Sequence, residues 1–193
     1  MCIQEIDIIT YKIREYQNKY SRQKLLIAID GRCAAGMTTL ASILQEKLDC
    51  NVIHMDDFFL QPLQRTSERL AEIGGNIDYE RFEEEVLIPF SKGQEMVYHR
   101  YDCKSRTMKD VIRVRPDKLT IAEGAYSCHP KFVKYYDYKI FMNISYEEQI
   151  ERIRKRNGEE RLKDFVEMWI PKEEKYISTY CIPESCDMQV SVL

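Results

Sequence analysis

No sign of charge dominates this chain. Its 193 residues carry 29 lysines and arginines against 32 aspartates and glutamates, a net of −3. That balance excludes the electrostatic footprint of a nonspecific nucleic-acid binder or of a protein held on an anionic membrane. Basic residues must therefore act locally. Paired cysteines are missing too. Cys2, Cys33, Cys50, Cys103, Cys128, Cys181 and Cys186 include no C-x-x-C, and their number is odd. Reduced thiols in a cytoplasmic setting are the expectation. No apolar run is long enough to span a bilayer. The start, MCIQEIDIIT, has neither a basic segment nor a long apolar core, so no signal peptide is expected. Neither a repeat nor a linker divides the chain, and one domain over residues 1–193 is expected. A chain of this size buries roughly 70% of its unfolded surface, enough for a core without staples.

What is present alternates between two periods. Ile6, Ile9, Ile13, Tyr16 and Tyr20 recur at three and four, which predicts an amphipathic helix over 4–20, within a leading segment 1–22. KLLIAID (24–30) is a continuous apolar run, the pattern of a strand buried on both faces. Leu40, Ile43, Leu44 and Leu48 share one helical face, and NVIHM (51–55) is a short strand. Residues 60–78, with Pro62 and Gly74-Gly75, read as a long functional loop. A helix is expected over Tyr79–Phe90, ended by Pro89. MVYHRYD (96–102) and VIRVR (111–115) read as paired strands, and LTIAEG (119–124), YKIFMN (138–143) and DMQVSVL (187–193) as further strands. Ser145 with Glu148 forms a capping box that opens a helix. A charged helix is expected from about Glu159 to Tyr180, interrupted at Pro171. Strands alternating with helices imply an α/β fold, a mostly parallel sheet covered on both faces.

Between the first buried strand and its helix lies GRCAAGMT, Gly31 to Thr38. It fits the phosphate-binding pattern G-x-x-x-x-G-K-[ST] except that Met37 stands where lysine is expected. The amides of Gly31, Ala34, Ala35, Gly36, Met37, Thr38 and Thr39 would surround a phosphate at a helix N-terminus, and Thr38 would offer a hydroxyl to Mg²⁺. Methionine matches lysine in length but has no charge and no donor, so phosphoryl transfer should be slowed. In open α/β sheets ligands sit at the carboxyl ends of strands. Asp56 and Asp57 follow one strand there and Glu123 ends another. Arg152 and Arg156 share a helix face and could clamp phosphates from a lid spanning about 145–165.

In order, LIAIDGRCAAGMTTLA, HMDDFF, GGNIDYERFEEEVLIPF, YDC, EGAYSCHP and ERIRKRNG resemble the uridine kinase-like P-loop kinases. That group sits with phosphoribulokinases and type-I pantothenate kinases, and the resemblance covers about Lys24 to Val190. It implies a three-layer, adenylate-kinase-like P-loop core that transfers the γ-phosphoryl of ATP to a small-molecule hydroxyl. By the resemblance Asp56 is the catalytic base, and Thr38 and Glu123 attend magnesium. Asp78 would hold ribose hydroxyls, Phe59 and Tyr101 would line a nucleoside pocket, and Arg152 and Arg156 would belong to the lid. Cys103 stands where uridine kinases carry an aromatic, and Arg106 stands near their base-reading histidine. A uridine- or cytidine-like acceptor is therefore one expectation and a pantothenate-like alcohol another. A catalytically impaired nucleotide-binding regulatory module is a third. ATP and Mg²⁺ are the expected cofactors. No nucleic-acid or membrane partner is expected, and the sequence does not determine a homo-oligomer.

Overall fold

The structure, a computed structural model, describes residues 3–20 and 24–192. Cys2 and the ends of the leading segment lie outside them, as does Leu193. Helix α1 (Ile3–Lys19) leads into β1 (Leu26–Gly31), and α2 (Met37–Leu48) and β2 (Asn51–His54) follow. Short helices come next: a 3-10 turn at Met55–Phe58, another at Pro62–Gln64, and α3 (Ser67–Ala71). Then come α4 (Tyr79–Phe82) and α5 (Ile88–Ser91), the hairpin β3 (Met96–Asp102) and β4 (Thr107–Val114), and β5 (Thr120–Glu123). The chain finishes with β6 (Tyr138–Ile144), α6 (Tyr146–Asp164), α7 (Ile170–Thr179), α8 (Ile182–Ser185) and β7 (Met188–Val192).

Five strands form one parallel sheet in the order β2-β5-β1-β6-β7, and β3 and β4 pair separately as an antiparallel ribbon. The centre of the sheet explains the unbroken apolar run of β1. Ile27 and Ile29 pack with Ile9 and Ile13 of α1 and Leu40 and Leu44 of α2. Leu26 and Ala28 face the opposite cluster, with Phe82, Phe141 and Tyr176. A strand covered on both sides has no solvated face to make polar.

Register brings the chemistry together. Ile29 lies beside Glu123, and Glu123 beside His54, so three strands end at one edge. At that edge β1 and β6 approach so closely that a Cβ on Gly31 would stand 2.4 Å from the Met142 carbonyl oxygen.

The helix expected to end at Pro89 stops at Ser91, while Pro171, expected to interrupt its helix, is absorbed. Wide π-helical turns at Glu83–Leu87 and Phe165–Trp169 precede Pro89 and Pro171, and helix continues beyond each. Proline removes one donor and crowds the carbonyl four residues earlier, and a widened turn relieves that clash. Gly158, at φ 81° and ψ 167°, separates the helix opened by Ser145 from the charged helix, at the boundary expected near Glu159. The stretch 60–78 is more ordered than a loop. Besides its short helices, Phe59 bridges Ile77, and the Leu60 amide donates to the Asn76 carbonyl. The ribbon strand read as 111–115 runs from Thr107.

Candidate active site

The phosphate loop begins where β1 ends. Asp30, the last side chain of the strand, is buried and gathers four donors. Its Oδ1 accepts from the Gly31 amide at 2.7 Å and the Tyr126 amide at 3.2 Å. Its Oδ2 accepts from the Cys128 amide at 2.8 Å and the Tyr176 hydroxyl at 2.6 Å. Burial pushes this carboxyl up to about 6 against the pull of those bonds.

The next two residues are tied to α7. Arg32 forms a forked pair with Glu174 at 2.6 and 2.9 Å and donates to Asn143 Oδ1 at 2.5 Å. The Cys33 amide donates to both oxygens of Glu173, at 2.9 and 3.0 Å. Gln149, from α6, donates to the Cys33 carbonyl at 3.1 Å and to Glu173 at 3.3 Å. Glu173 is buried, and its carboxyl is pushed up to about 8, first by burial and then by the nearby charge of Asp30.

Beyond Cys33 the loop opens. Ala34 and Gly36 take left-handed backbone, φ 64° and 93°, which turns the chain into α2. A Cβ on Gly36 would meet nothing within 4 Å. Thr38 and Thr39 are exposed at the head of the helix. The Met37 side chain is buried in the apolar cluster with Leu40, Ala41 and Ile144.

Carboxylates surround the opening. The Thr38 hydroxyl lies 3.2 Å from each oxygen of the buried Glu123. His54 Nδ1 is 2.5 Å from Glu123 Oε1, and that bond raises the imidazole's affinity for a proton. Asp56 reaches solvent in a crowded cleft. Burial raises its carboxyl above the usual range, the charge of Glu123 adds to this, and His54 and Arg156 oppose it. Asp57 is buried, with Arg100 Nε 3.2 Å from its Oδ1. Arg152 bonds Glu148 at 2.7 Å and approaches the Ala34 carbonyl at 3.4 Å.

The sequence-predicted acceptor residues are more dispersed. Asp78 is the N-cap of α4 and is buried, accepting from the Arg81 amide at 3.2 Å and from Gln64 Nε2 at 2.8 Å. Phe59 packs half-buried against the main cluster, and Tyr101 is buried in β3. Arg106 is exposed in the ribbon's turn, with a left-handed φ of 56°. Cys103 lies in the same turn, and burial, then the charges of Asp56 and Asp102, raise its thiol above the ordinary value. Sequence reasoning missed Asp30, His54, Gln149, Glu173 and Tyr176. The one local signal was an aspartate closing an apolar strand.

Oxygen donors at Thr38 and Glu123 suit Mg²⁺, which favours one or two protein oxygens and keeps waters for the rest. The buried carboxylate with both oxygens turned to the loop threonine is the observation that fits this ion.

No protein-family model matches the chain, and no curated protein matches it. Solved structures do. A possible uridine kinase from Bacillus stearothermophilus superposes with a TM-score of 0.73 at 19% identity, over 97% of each chain. A candidate fructose transport system kinase from Silicibacter sp. TM1040 gives 0.71 at 15%, over 95% of this chain and 98% of that one. YFH7 from Saccharomyces cerevisiae, a candidate P-loop kinase with a circular permutation, gives 0.62 at 11%, over 97% and 98%. At such identities the likeness establishes the fold: this chain has the α/β architecture of P-loop kinases.

Proposed function

We propose that this protein is a phosphotransferase that passes the γ-phosphoryl of ATP to a hydroxyl of a nucleoside or related small molecule, slowed by Met37. The observation that carries this reading is the convergence of the open Gly36–Thr38 turn, the Thr38–Glu123 pair and the solvent-facing Asp56 at one sheet edge. The amides at the head of α2 hold phosphate oxygens. Asp56 accepts the proton of the acceptor hydroxyl, and its raised proton affinity suits a general base. Thr38 and Glu123 would hold Mg²⁺, which would supply charge neutralisation on the phosphates. Arg152 and Arg156, both on α6, are the lid arginines assigned to the phosphates. Arg32 is committed to Glu174 and does not replace the absent lysine.

The burial of Met37 in apolar surroundings favours a second reading, a module that binds nucleotide without turnover. One experiment separates the two. ATP consumption is followed with a panel of nucleosides and small alcohols for the chain as it stands, for Met37→Lys, and for Met37→Lys with Asp56→Asn. A lysine there can cover the methionine's apolar contacts with its stem and extend its ammonium to the loop. The expected gain is about 10²–10³ in rate, the scale of one charge-stabilising contact, and Asp56→Asn should remove it with nucleotide affinity nearly unchanged. Tight nucleotide binding by Met37→Lys with no faster transfer to any acceptor would favour the module.

A further inference from the structure

Behind the candidate site two cysteines face each other. Cys128, in the turn after β5, is fully buried, and Cys186, at the end of α8, is half-buried. They are 58 residues apart in the chain, yet their sulfurs are 3.9 Å apart, with the Cys186 thiol donating to the Cys128 sulfur. Among the described residues no other two cysteines make such a contact. A disulfide needs the sulfurs to close by roughly 2 Å more, which side-chain rotation and a small shift of the turn at half-buried Cys186 and exposed Asp187 can supply. The two thiols are unequal. Burial holds Cys128 protonated, whereas Cys186 can meet a solvent-borne oxidant.

The position of Cys128 gives the contact its reach. Its amide donates to Asp30, and the same carboxylate holds the Gly31 amide and the Tyr176 hydroxyl. Drawing Cys128 toward Cys186 therefore pulls on the group that anchors the first residue of the phosphate loop.

We propose that Cys128 and Cys186 are a hydroperoxide-responsive thiol pair, and that their closure to a disulfide loosens the anchored start of the phosphate loop through Asp30. In the first step the Cys186 thiolate attacks the peroxide, the O–O bond breaks, and water or an alcohol leaves with a proton. Cys186 becomes a sulfenic acid. The Cys128 sulfur then attacks the Cys186 sulfur, the S–O bond breaks, and the Cys128 proton leaves with the departing hydroxide as water. The two thiols lose two electrons and the hydroperoxide gains them.

The test uses the whole chain and needs neither ATP nor an acceptor, so its outcome is independent of the phosphotransferase reading. Reduced protein is treated with hydrogen peroxide, remaining thiols are alkylated, and peptides are mapped without reduction. The expected product links the Cys128 and Cys186 peptides. Cys186→Ser should abolish it, and Cys128→Ser should leave a sulfenic acid on Cys186 that a dione probe captures. Hydrogen exchange of the Gly31–Cys33 amides should be faster in oxidised than in reduced protein by roughly fivefold or more, a coupling of ordinary size. Oxidation confined to Cys103 or Cys181, or a crosslink of Cys186 to any other cysteine, would overturn the pair. A Cys128–Cys186 crosslink that leaves exchange in the loop unchanged would overturn the link through Asp30.

Discussion

The two halves of the phosphate loop obey different physics. From Asp30 to Cys33 every polar group described is committed to the protein itself: Asp30 to four donors, Arg32 to Glu174 and Asn143, the Cys33 amide to Glu173. From Ala34 to Thr38 the loop is held by backbone conformation and leaves its helix head to solvent. The first half is part of the core and sets position. The second half buries Ala35 and Met37 but leaves Thr38 at the surface, where it can meet a ligand. The nine residues from Asp30 to Thr38 thus divide into an anchor and a receptor, and substitutions in the two halves should report different quantities.

The largest effect should come from the anchor. Asp30→Ala orphans the Gly31, Tyr126 and Cys128 amides and the Tyr176 hydroxyl. At about 1–3 kcal/mol for each buried group left unpaired, the loss is several kcal/mol. Urea unfolding measures it. A loss no larger than that of a surface substitution would show that the hub is not structural.

A smaller effect comes from the Glu173 proton. Its carboxyl titrates near 8 in the folded chain, above the ordinary glutamate value of 4.5. The folded state therefore binds the proton more tightly, and its contribution is full below about pH 4.5. It declines as pH rises toward 8. Asp30, raised to about 6, acts in the same direction. Glu173→Gln should flatten the loss of melting temperature between pH 5 and pH 8, leaving the part due to Asp30. An unchanged slope would mean that Glu173 is not the titrating group.

The smallest lies in the receptor half. Ala34 holds φ 64°, a conformation that costs a residue with a Cβ about 1–2 kcal/mol. Ala34→Gly removes that cost but gives the unfolded chain more freedom, so a net gain of at most about 1 kcal/mol is expected in urea unfolding. Destabilisation would show that the Cβ makes contacts worth more than the strain.

Legibility in the sequence follows the same division. The receptor half, the strands and the strand-end acids were readable because each depends on neighbours within a few residues. Glycine spacing, an apolar run and an acid after a strand are local patterns. The anchor was not readable. Glu173 meets Cys33 across 140 residues and Tyr176 meets Asp30 across 146. A glutamate or tyrosine on an amphipathic helix has no local mark that says which distant amide it will cap. Pro171 misled for the opposite reason, because its local signal is strong and the widened turn that absorbs it leaves no composition of its own.

The turn at Phe165–Trp169 also fixes how this chain can be counted against others. A π-helical turn holds one residue more than the α-helical turn it replaces. Deleting that residue would leave a continuous α-helix with both flanking faces in phase, whereas deleting one from the α-helix on either side would rotate one side against the other by about 100°. Either Leu162 and the helix before it would leave their packing, or Glu173 and Tyr176 would point away from the loop. Two chains of equal function could thus differ by a gap inside a helix. An alignment that forbids such gaps would pair the wrong residues with the anchor while matching every charge on the surface.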